Sequence, residues 1–218
     1  MTVKRGSEIK ERQRRYLDRL ETLVDSIYAL VIVFIVAGFP SARNFEGEFS
    51  SAWEFLGQHS DELVTPMLGL VLIIMYWAQS NIQLGSLVST DSTHASLVIV
   101  QVFLLLLYVY SVDFVLDFPE DTAVLATQSV IFFLMGVVAI AAWGWAVRGR
   151  RLVSDEITDE DIHVISLQML PEPLTAFITI WASFLGSTAW ELAWLAYLPI
   201  AYLTKRIRRP AAVQSSDS

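Results

Sequence analysis

The sequence has no cysteine and few charged residues. Only 17% of its 218 residues are Asp, Glu, Lys or Arg, whereas soluble domains carry about a quarter. Without cysteine there can be no disulfide, thiolate metal site or cysteine nucleophile, and a net charge of −8 excludes binding to nucleic-acid phosphates. Charged residues are missing altogether from four stretches, 67–78, 102–110, 130–147 and 174–190. We therefore expect a membrane protein that binds no nucleic acid.

Patterns that carry chemistry are also scarce. The three histidines, His59, His94 and His163, lie far apart, and none belongs to a His-x-x-x-His, Glu-x-x-His or Ser–His–Asp arrangement. No glycine-rich phosphate-binding loop is present. We expect no metal site, no cofactor and no enzymatic activity, and we expect the histidines to be ordinary surface or membrane-interface residues.

Long apolar runs, by contrast, are abundant. About 20 apolar residues cross the hydrocarbon core of a bilayer, and runs of that length are predicted as spans at 20–39, 63–82, 94–116 and 123–147. The run 174–203 is too long for one span, so Gly186-Ser187-Thr188 is predicted to form a turn between helices five and six. Helix five would begin near Ser166, with Pro171 and Pro173 in its first turns, where prolines are tolerated. The fold class predicted is all-α, an integral membrane bundle of six helices.

The basic residues predict the orientation of this bundle. All of them except Arg43 lie in the N-terminal segment, the 4–5 loop or the C-terminal tail. Because cytoplasmic loops collect Lys and Arg, both termini are predicted to be cytoplasmic. The chain then divides into a basic N-terminal segment (1–19), one transmembrane domain (20–203) and a disordered tail (204–218). The expected location is the plasma membrane of a prokaryote, with no cleaved signal peptide.

Two features near the membrane surface have simple explanations. In the 4–5 loop, Thr158 and Asp161 have the spacing of a helix-capping pair, which predicts a short helix at the interface. The cluster 205–209 is predicted to be an inner anchor or a site for anionic lipid. Six tryptophans are predicted to form an aromatic belt at the membrane edges: Trp53, Trp143, Trp145, Trp181, Trp190 and Trp194.

Helix one carries an ionisable residue inside its predicted span, which is costly and usually marks a pair or a function. This residue is Asp25, and Arg19 precedes it by six positions, on another face of the helix. The stretch resembles the signature of the transmembrane protein 175 family, the lysosomal potassium channels and their prokaryotic relatives. That signature has Arg, three residues and then Phe-Ser-Asp. Arg19 and Asp25 match it, while Leu23 and Val24 replace Phe and Ser.

The resemblance continues in helix two and in the topology. Tyr76-Trp77 matches the family's aromatic–Trp pair, and the six-span layout matches the prokaryotic one-repeat members over roughly residues 15–205. Where the family usually has histidines, this chain has Gln79, Ser80 and Asn81. The resemblance implies a network of side chains around helix one, with the members Arg19, Asp25, Trp77 and Asn81.

The resemblance also implies a homotetrameric channel in the lipid bilayer, with K⁺ or Na⁺ as the permeant ion and helix one of each subunit lining the pore. At 100° per residue, one stripe of helix one is suited to this role; its members are Ser26, Leu30, Val33 and Ala37, with Phe34 farther round. By position Leu30 is the apolar constriction. Val33 occupies a site where many relatives have Thr. A threonine hydroxyl could replace part of an ion's hydration shell, whereas a valine side chain has no oxygen to do so. Weak potassium selectivity or low conductance is therefore expected.

Other interpretations of the same residues remain open. A stripe of small and apolar side chains is also what a packed membrane helix presents. A secondary transporter could use Asp25 or Glu191 as a titratable coupling site. A non-conducting membrane subunit could use its acidic outer loop, 41–66, to contact a partner, although that acidity could also concentrate cations at a pore mouth.

Overall fold

A computed structural model describes residues 2–39, 51–58 and 60–207 of the chain. Nine α-helices lie within these ranges: α1 (Thr2–Ala37), α2 (Ala52–Gln58), α3 (Ser60–Gly85), α4 (Ser92–Asp117), α5 (Thr122–Val147), α6 (Asp159–Gln168), α7 (Pro171–Ala182), α8 (Ser187–Ala193) and α9 (Tyr197–Ile207). The described part of the chain contains no β-strand, so the all-α prediction is confirmed. The predictions for much of the acidic outer loop and for most of the C-terminal tail lie outside the described residues.

Four helical segments of the described chain are long and apolar enough to cross a membrane. They are Glu11–Ala37, Ser92–Asp117, Thr122–Arg150 and Asp159–Leu185. The prediction of a helical membrane protein is thereby supported, because each segment exceeds the length that a bilayer requires. The count of six spans and the cytoplasmic location of both termini stay predictions.

The region after α5 differs in detail from the predicted helices five and six. The short interfacial helix is confirmed as α6, where Thr158 and Asp161 bond to each other's backbone N–H in a capping box. Ser166, where helix five is predicted to begin, lies inside α6, which ends at Gln168, and a separate helix, α7, starts at Pro171. The predicted turn is confirmed at Gly186, whose φ of 104° suits glycine. Helix six is divided into α8 and α9 by a 3₁₀ turn at Trp194–Ala196.

The core lies where α3, α4, α5 and the turn at Trp194–Ala196 meet. At its centre Phe132 is fully buried, and its ring packs against Tyr76 at 5.0 Å, Tyr108 at 5.2 Å and Trp194 at 5.1 Å between centroids. One turn later Gly136 permits α3 and α7 to approach α5. A Cβ at this position would lie 2.9 Å from both Pro173 Cβ and Tyr76 Oη.

Several tryptophans stabilise this core instead of forming a membrane-edge belt. Trp143, Trp190 and Trp194 are buried, so the belt prediction is wrong for them. The indole of Trp143 donates to Ser166 Oγ at 2.9 Å, and that of Trp190 donates to Ser129 Oγ at 2.8 Å. Buried indoles need such acceptors, and the acceptors here lie far away in the sequence.

The α3–α4 connection is fastened to the end of α5 by a polar cluster around Asp91. Its carboxylate caps α4 by accepting from the backbone N–H of His94 at 2.9 Å. It also accepts from the Trp145 indole at 3.1 Å and from Arg151 Nη2 at 2.7 Å. The His94 ring is buried and bonded to Thr90 Oγ1 at 2.9 Å, so this histidine is not the surface residue that the sequence suggests.

Candidate pore-lining surface

Helix α1 has a buried face that packs on the rest of the molecule. The side chains of this face recur every three or four residues, which is the helical period, and all are less than a tenth exposed. They are Leu17, Leu20, Val24, Tyr28, Val31 and Ile35. The neighbours of α1 are chiefly α3 and α4. This periodic face therefore holds α1 against the bundle and determines which residues point away from it.

The predicted stripe lies on the outer side of α1 and is defined here as the α1 stripe. Its members are Ser26, Leu30, Val33, Phe34 and Ala37, and all five are exposed. Leu30 is 49% exposed, Val33 62% and Phe34 58%. Such a row of large apolar side chains must contact either lipid or other protein chains. In the described chain nothing covers it.

The chemistry of the α1 stripe changes along the helix. At its N-terminal end, the Ser26 hydroxyl donates to the Thr22 carbonyl at 2.7 Å. Its remaining lone pairs can accept a hydrogen bond or contact a cation. Leu30, Val33 and Phe34 carry no polar atom. A pore lined by copies of this face would therefore have a polar ring next to an apolar constriction.

Three of the four predicted network residues meet at the contact between α1 and α3. The Trp77 indole donates to Asp25 Oδ1 at 3.0 Å. With its amide oriented to satisfy both neighbours, Asn81 donates to the same carboxylate at 3.1 Å and accepts from Trp77 at 3.2 Å. Arg19 does not join them, because it lies on another face of α1, where it lines a separate cavity with Arg12, Arg15 and Tyr16. The roles of these residues stay predictions.

A buried carboxyl that the sequence analysis did not single out is Glu172. It lies in the first turn of α7 and is only 4% exposed. The side chain borders a cavity of about 250 Å³ together with Gln79, Gln168 and Tyr197. The signal available in the sequence was an acid between two prolines at the start of a long charge-free run.

Among the described side chains, no cluster of three or more His, Asp or Glu residues could hold a metal ion. Glu191, the other carboxyl that the sequence suggested for ion coupling, is exposed in α8. Of the three carboxyls Asp25, Glu172 and Glu191, only Glu172 is buried.

Comparison with solved structures identifies a protein of similar fold. It is a threonine-to-alanine variant of the potassium channel MtTMEM175, crystallised in complex with a Nanobody-MBP fusion protein. The superposition covers 87% of this chain and 92% of that one, with a TM-score of 0.58 and 19% sequence identity. The chain has the fold of this channel. The resemblance noted from the sequence is confirmed at the level of the fold, and the similar structure is an ion channel and not an enzyme.

Comparison by sequence alone finds less. No protein-family model matches the chain, and no curated protein matches it either. The structural similarity extends over nearly the whole length of both chains, so it concerns the complete bundle and not one helical hairpin. At 19% identity it establishes the arrangement of the helices and leaves the function to be argued from the residues.

Proposed function

We propose that this chain is one subunit of a homotetrameric channel for monovalent cations, K⁺ or Na⁺, in the plasma membrane of a prokaryote. The observation that carries the proposal is the α1 stripe, an exposed apolar row on a helix whose opposite face is fixed in the core. The fold shared with a potassium channel supports it. The location of nearly all basic residues at the termini and in the 4–5 loop supports cytoplasmic termini.

In this proposal Leu30 and Val33 form the narrowest part of the pore. Four copies of these side chains would make an apolar constriction that controls conduction by excluding water. A valine offers no oxygen to an ion that loses part of its hydration shell. We therefore expect weak selectivity for potassium and a low conductance. Ser26, on the N-terminal side of the constriction, would be the nearest polar ring.

The proposal is tested with the purified full chain reconstituted in planar bilayers. The substitution Leu30→Ala shortens the side chain at the proposed constriction and so widens the pore there. The single-channel conductance should therefore rise. The matched control is Leu106→Ala on α4, a leucine of similar exposure, which should leave the conductance unchanged. If both variants behave alike, or if the protein is a monomer in detergent, α1 does not line a pore.

A second pair of variants tests the constriction at Val33. Val33→Thr adds a hydroxyl with little change of shape, and we expect a higher ratio of K⁺ to Na⁺ permeability. Val36→Thr makes the same change on the same helix, at an exposed position outside the α1 stripe, and should have no effect. Clear potassium selectivity in the unmodified protein would contradict the role assigned to Val33.

Secondary transport is a second candidate, favoured by one observation. Glu172 is a buried carboxyl at a cavity between α3, α7 and α9, and such groups often bind the coupling ion of transporters. A transporter would show saturable flux coupled to a proton or sodium gradient, and Glu172→Gln would abolish the coupling. Single-channel currents without such coupling would exclude it.

A further inference from the structure

The first half of α1 presents a row of cationic side chains on one face. Arg12, Arg15, Tyr16 and Arg19 follow the helical period and together line a cavity of about 260 Å³. Their positive charge is poorly compensated within the described chain. Among the described side chains Arg15 pairs with Glu11 at 4.0 Å, with both side chains largely exposed, and such a pair contributes little. Arg12 stacks on the Tyr16 ring at 5.7 Å, and no salt bridge involves Arg19 among the described side chains.

A larger cavity of about 700 Å³ continues from this row between α1 and α4. One end is shared with the cationic row through Arg12 and Arg19. The other end is apolar and is lined by Leu20, Leu23 and Ile99. Leu23 is 45% exposed and Ile99 52%, so the apolar end opens to the outside of the bundle. The cavity therefore has one positively charged end and one apolar end.

Asp91 also lines this cavity, but its negative charge is already compensated and does not repel an anion bound there. Arg151, the Trp145 indole and the backbone N–H of His94 already bind its carboxylate. Although burial acts to raise the pKa of Asp91, these hydrogen bonds and the Arg151 charge lower it below its ordinary value. The carboxylate is thus paired with a cation of its own, and Arg12 and Arg19 remain available to a ligand.

We propose that the 700 Å³ cavity between α1 and α4, called the groove from here on, binds an anionic phospholipid. Its phosphate would contact Arg12 and Arg19, which suits guanidinium donors, and an acyl chain would pack on Leu23 and Ile99. Charge complementarity favours this occupant, because a cationic site continuous with an apolar groove matches a ligand that joins an anion to a hydrocarbon chain. The groove begins where α1 enters its candidate span. The site does not depend on ion conduction.

Native mass spectrometry of the purified full chain with added phosphatidylglycerol or phosphatidylcholine tests the proposal. We expect phosphatidylglycerol to be retained in preference to phosphatidylcholine. The double variant Arg12→Gln/Arg19→Gln should weaken phosphatidylglycerol binding about 25-fold, since each arginine near anionic lipid contributes about fivefold in affinity. The control Arg148→Gln, an exposed arginine outside the groove, should leave binding unchanged.

A second variant tests the apolar end independently of charge. Leu23→Trp fills the groove and should also displace phosphatidylglycerol, whereas Leu106→Trp on the exposed face of α4 should not. Equal binding of both lipids, or unchanged binding in the double arginine variant, would overturn the proposal. Competition by inorganic phosphate as strong as that by phosphatidylglycerol would assign the arginines to a free anion. Dissociation of the oligomer by Leu23→Trp without loss of lipid would assign the groove to a second copy of the chain.

Discussion

Replacement of Asp91 by alanine should destabilise the protein more than loss of an ordinary helix cap. The carboxylate caps α4 through the backbone N–H of His94, and it also binds the Trp145 indole and Arg151. These contacts join the start of α4 to the end of α5 and to the residues that follow it. One truncation therefore removes a local interaction and two long-range ones.

The expected magnitude follows from these three contacts. Loss of an aspartate cap costs about 1 kcal/mol, and loss of a hydrogen bond from an indole to a carboxylate costs about 1 kcal/mol. The ion pair with Arg151 is half-exposed on the arginine side and adds less than about 1 kcal/mol. Asp91→Ala should thus lower the free energy of unfolding by about 2–3 kcal/mol.

Asp121 provides a matched control, because it caps α5 in the same way. Its carboxylate accepts from the backbone N–H groups of Ala123 and Val124 at 2.8 and 3.2 Å and has no indole or arginine partner in the described chain. Asp121→Ala should therefore cost only about 1 kcal/mol.

The assay is thermal unfolding of the detergent-solubilised protein at pH 7. For a chain of this length 1 kcal/mol corresponds to roughly 2–4 °C in Tm, so Asp91→Ala should unfold about 4 °C below Asp121→Ala. Equal Tm values for the two variants would refute the reasoning, since they would mean that Trp145 and Arg151 add nothing to the cap.

Three further predictions concern packing, the contact between α1 and α3, and pH. Gly136→Ala should destabilise the protein by about 1–3 kcal/mol, because its Cβ meets atoms at 2.9 Å; Gly144→Ala, with open space around it, should be neutral or stabilising in the same unfolding assay. A double-mutant cycle of Asp25→Asn and Trp77→Phe should give a coupling of about 0.5–1.5 kcal/mol, and additive effects would contradict the hydrogen bond. Because the folded-state pKa of Asp91 is lowered from 3.8, its stabilisation should be fully present at neutral pH, begin to decline near pH 4 and be lost as pH falls through the lowered folded-state pKa. A pH series of Tm with Asp91→Ala as reference measures this.

Features determined by neighbouring residues could be predicted from the sequence. The capping box at Thr158 and Asp161 involves side chains three residues apart, and the turn at Gly186 requires only one glycine with a positive φ. The α1 stripe was predictable as a face, because the helical period assigns Leu30 and Val33 to the side opposite Tyr28, which is buried. Its pore-lining role stays a prediction that rests on the family resemblance, because a single chain does not contain the surface that would cover the stripe.

Features determined by distant partners could not be predicted. Trp190 is an apparent membrane-edge residue until Ser129, 61 positions away, is seen to accept its indole N–H. Glu172 follows Pro171 and resembles a loop acid in the sequence, yet α3 and α9 enclose it. Burial of a polar group depends on which elements meet around it, and that information lies in the tertiary packing.

Helix α1 runs without a break from Thr2 to Ala37, and it contains no proline that could act as a hinge. Arg12 and Leu30 are 18 residues apart, which is about 27 Å along the axis at 1.5 Å per residue. A tilt of the helix by about 5° around its N-terminal half would therefore displace Leu30 by about 2 Å. In the proposed channel, a ligand bound to the arginines of α1 would hold the pivot of a rigid helix whose other end carries the proposed constriction at Leu30.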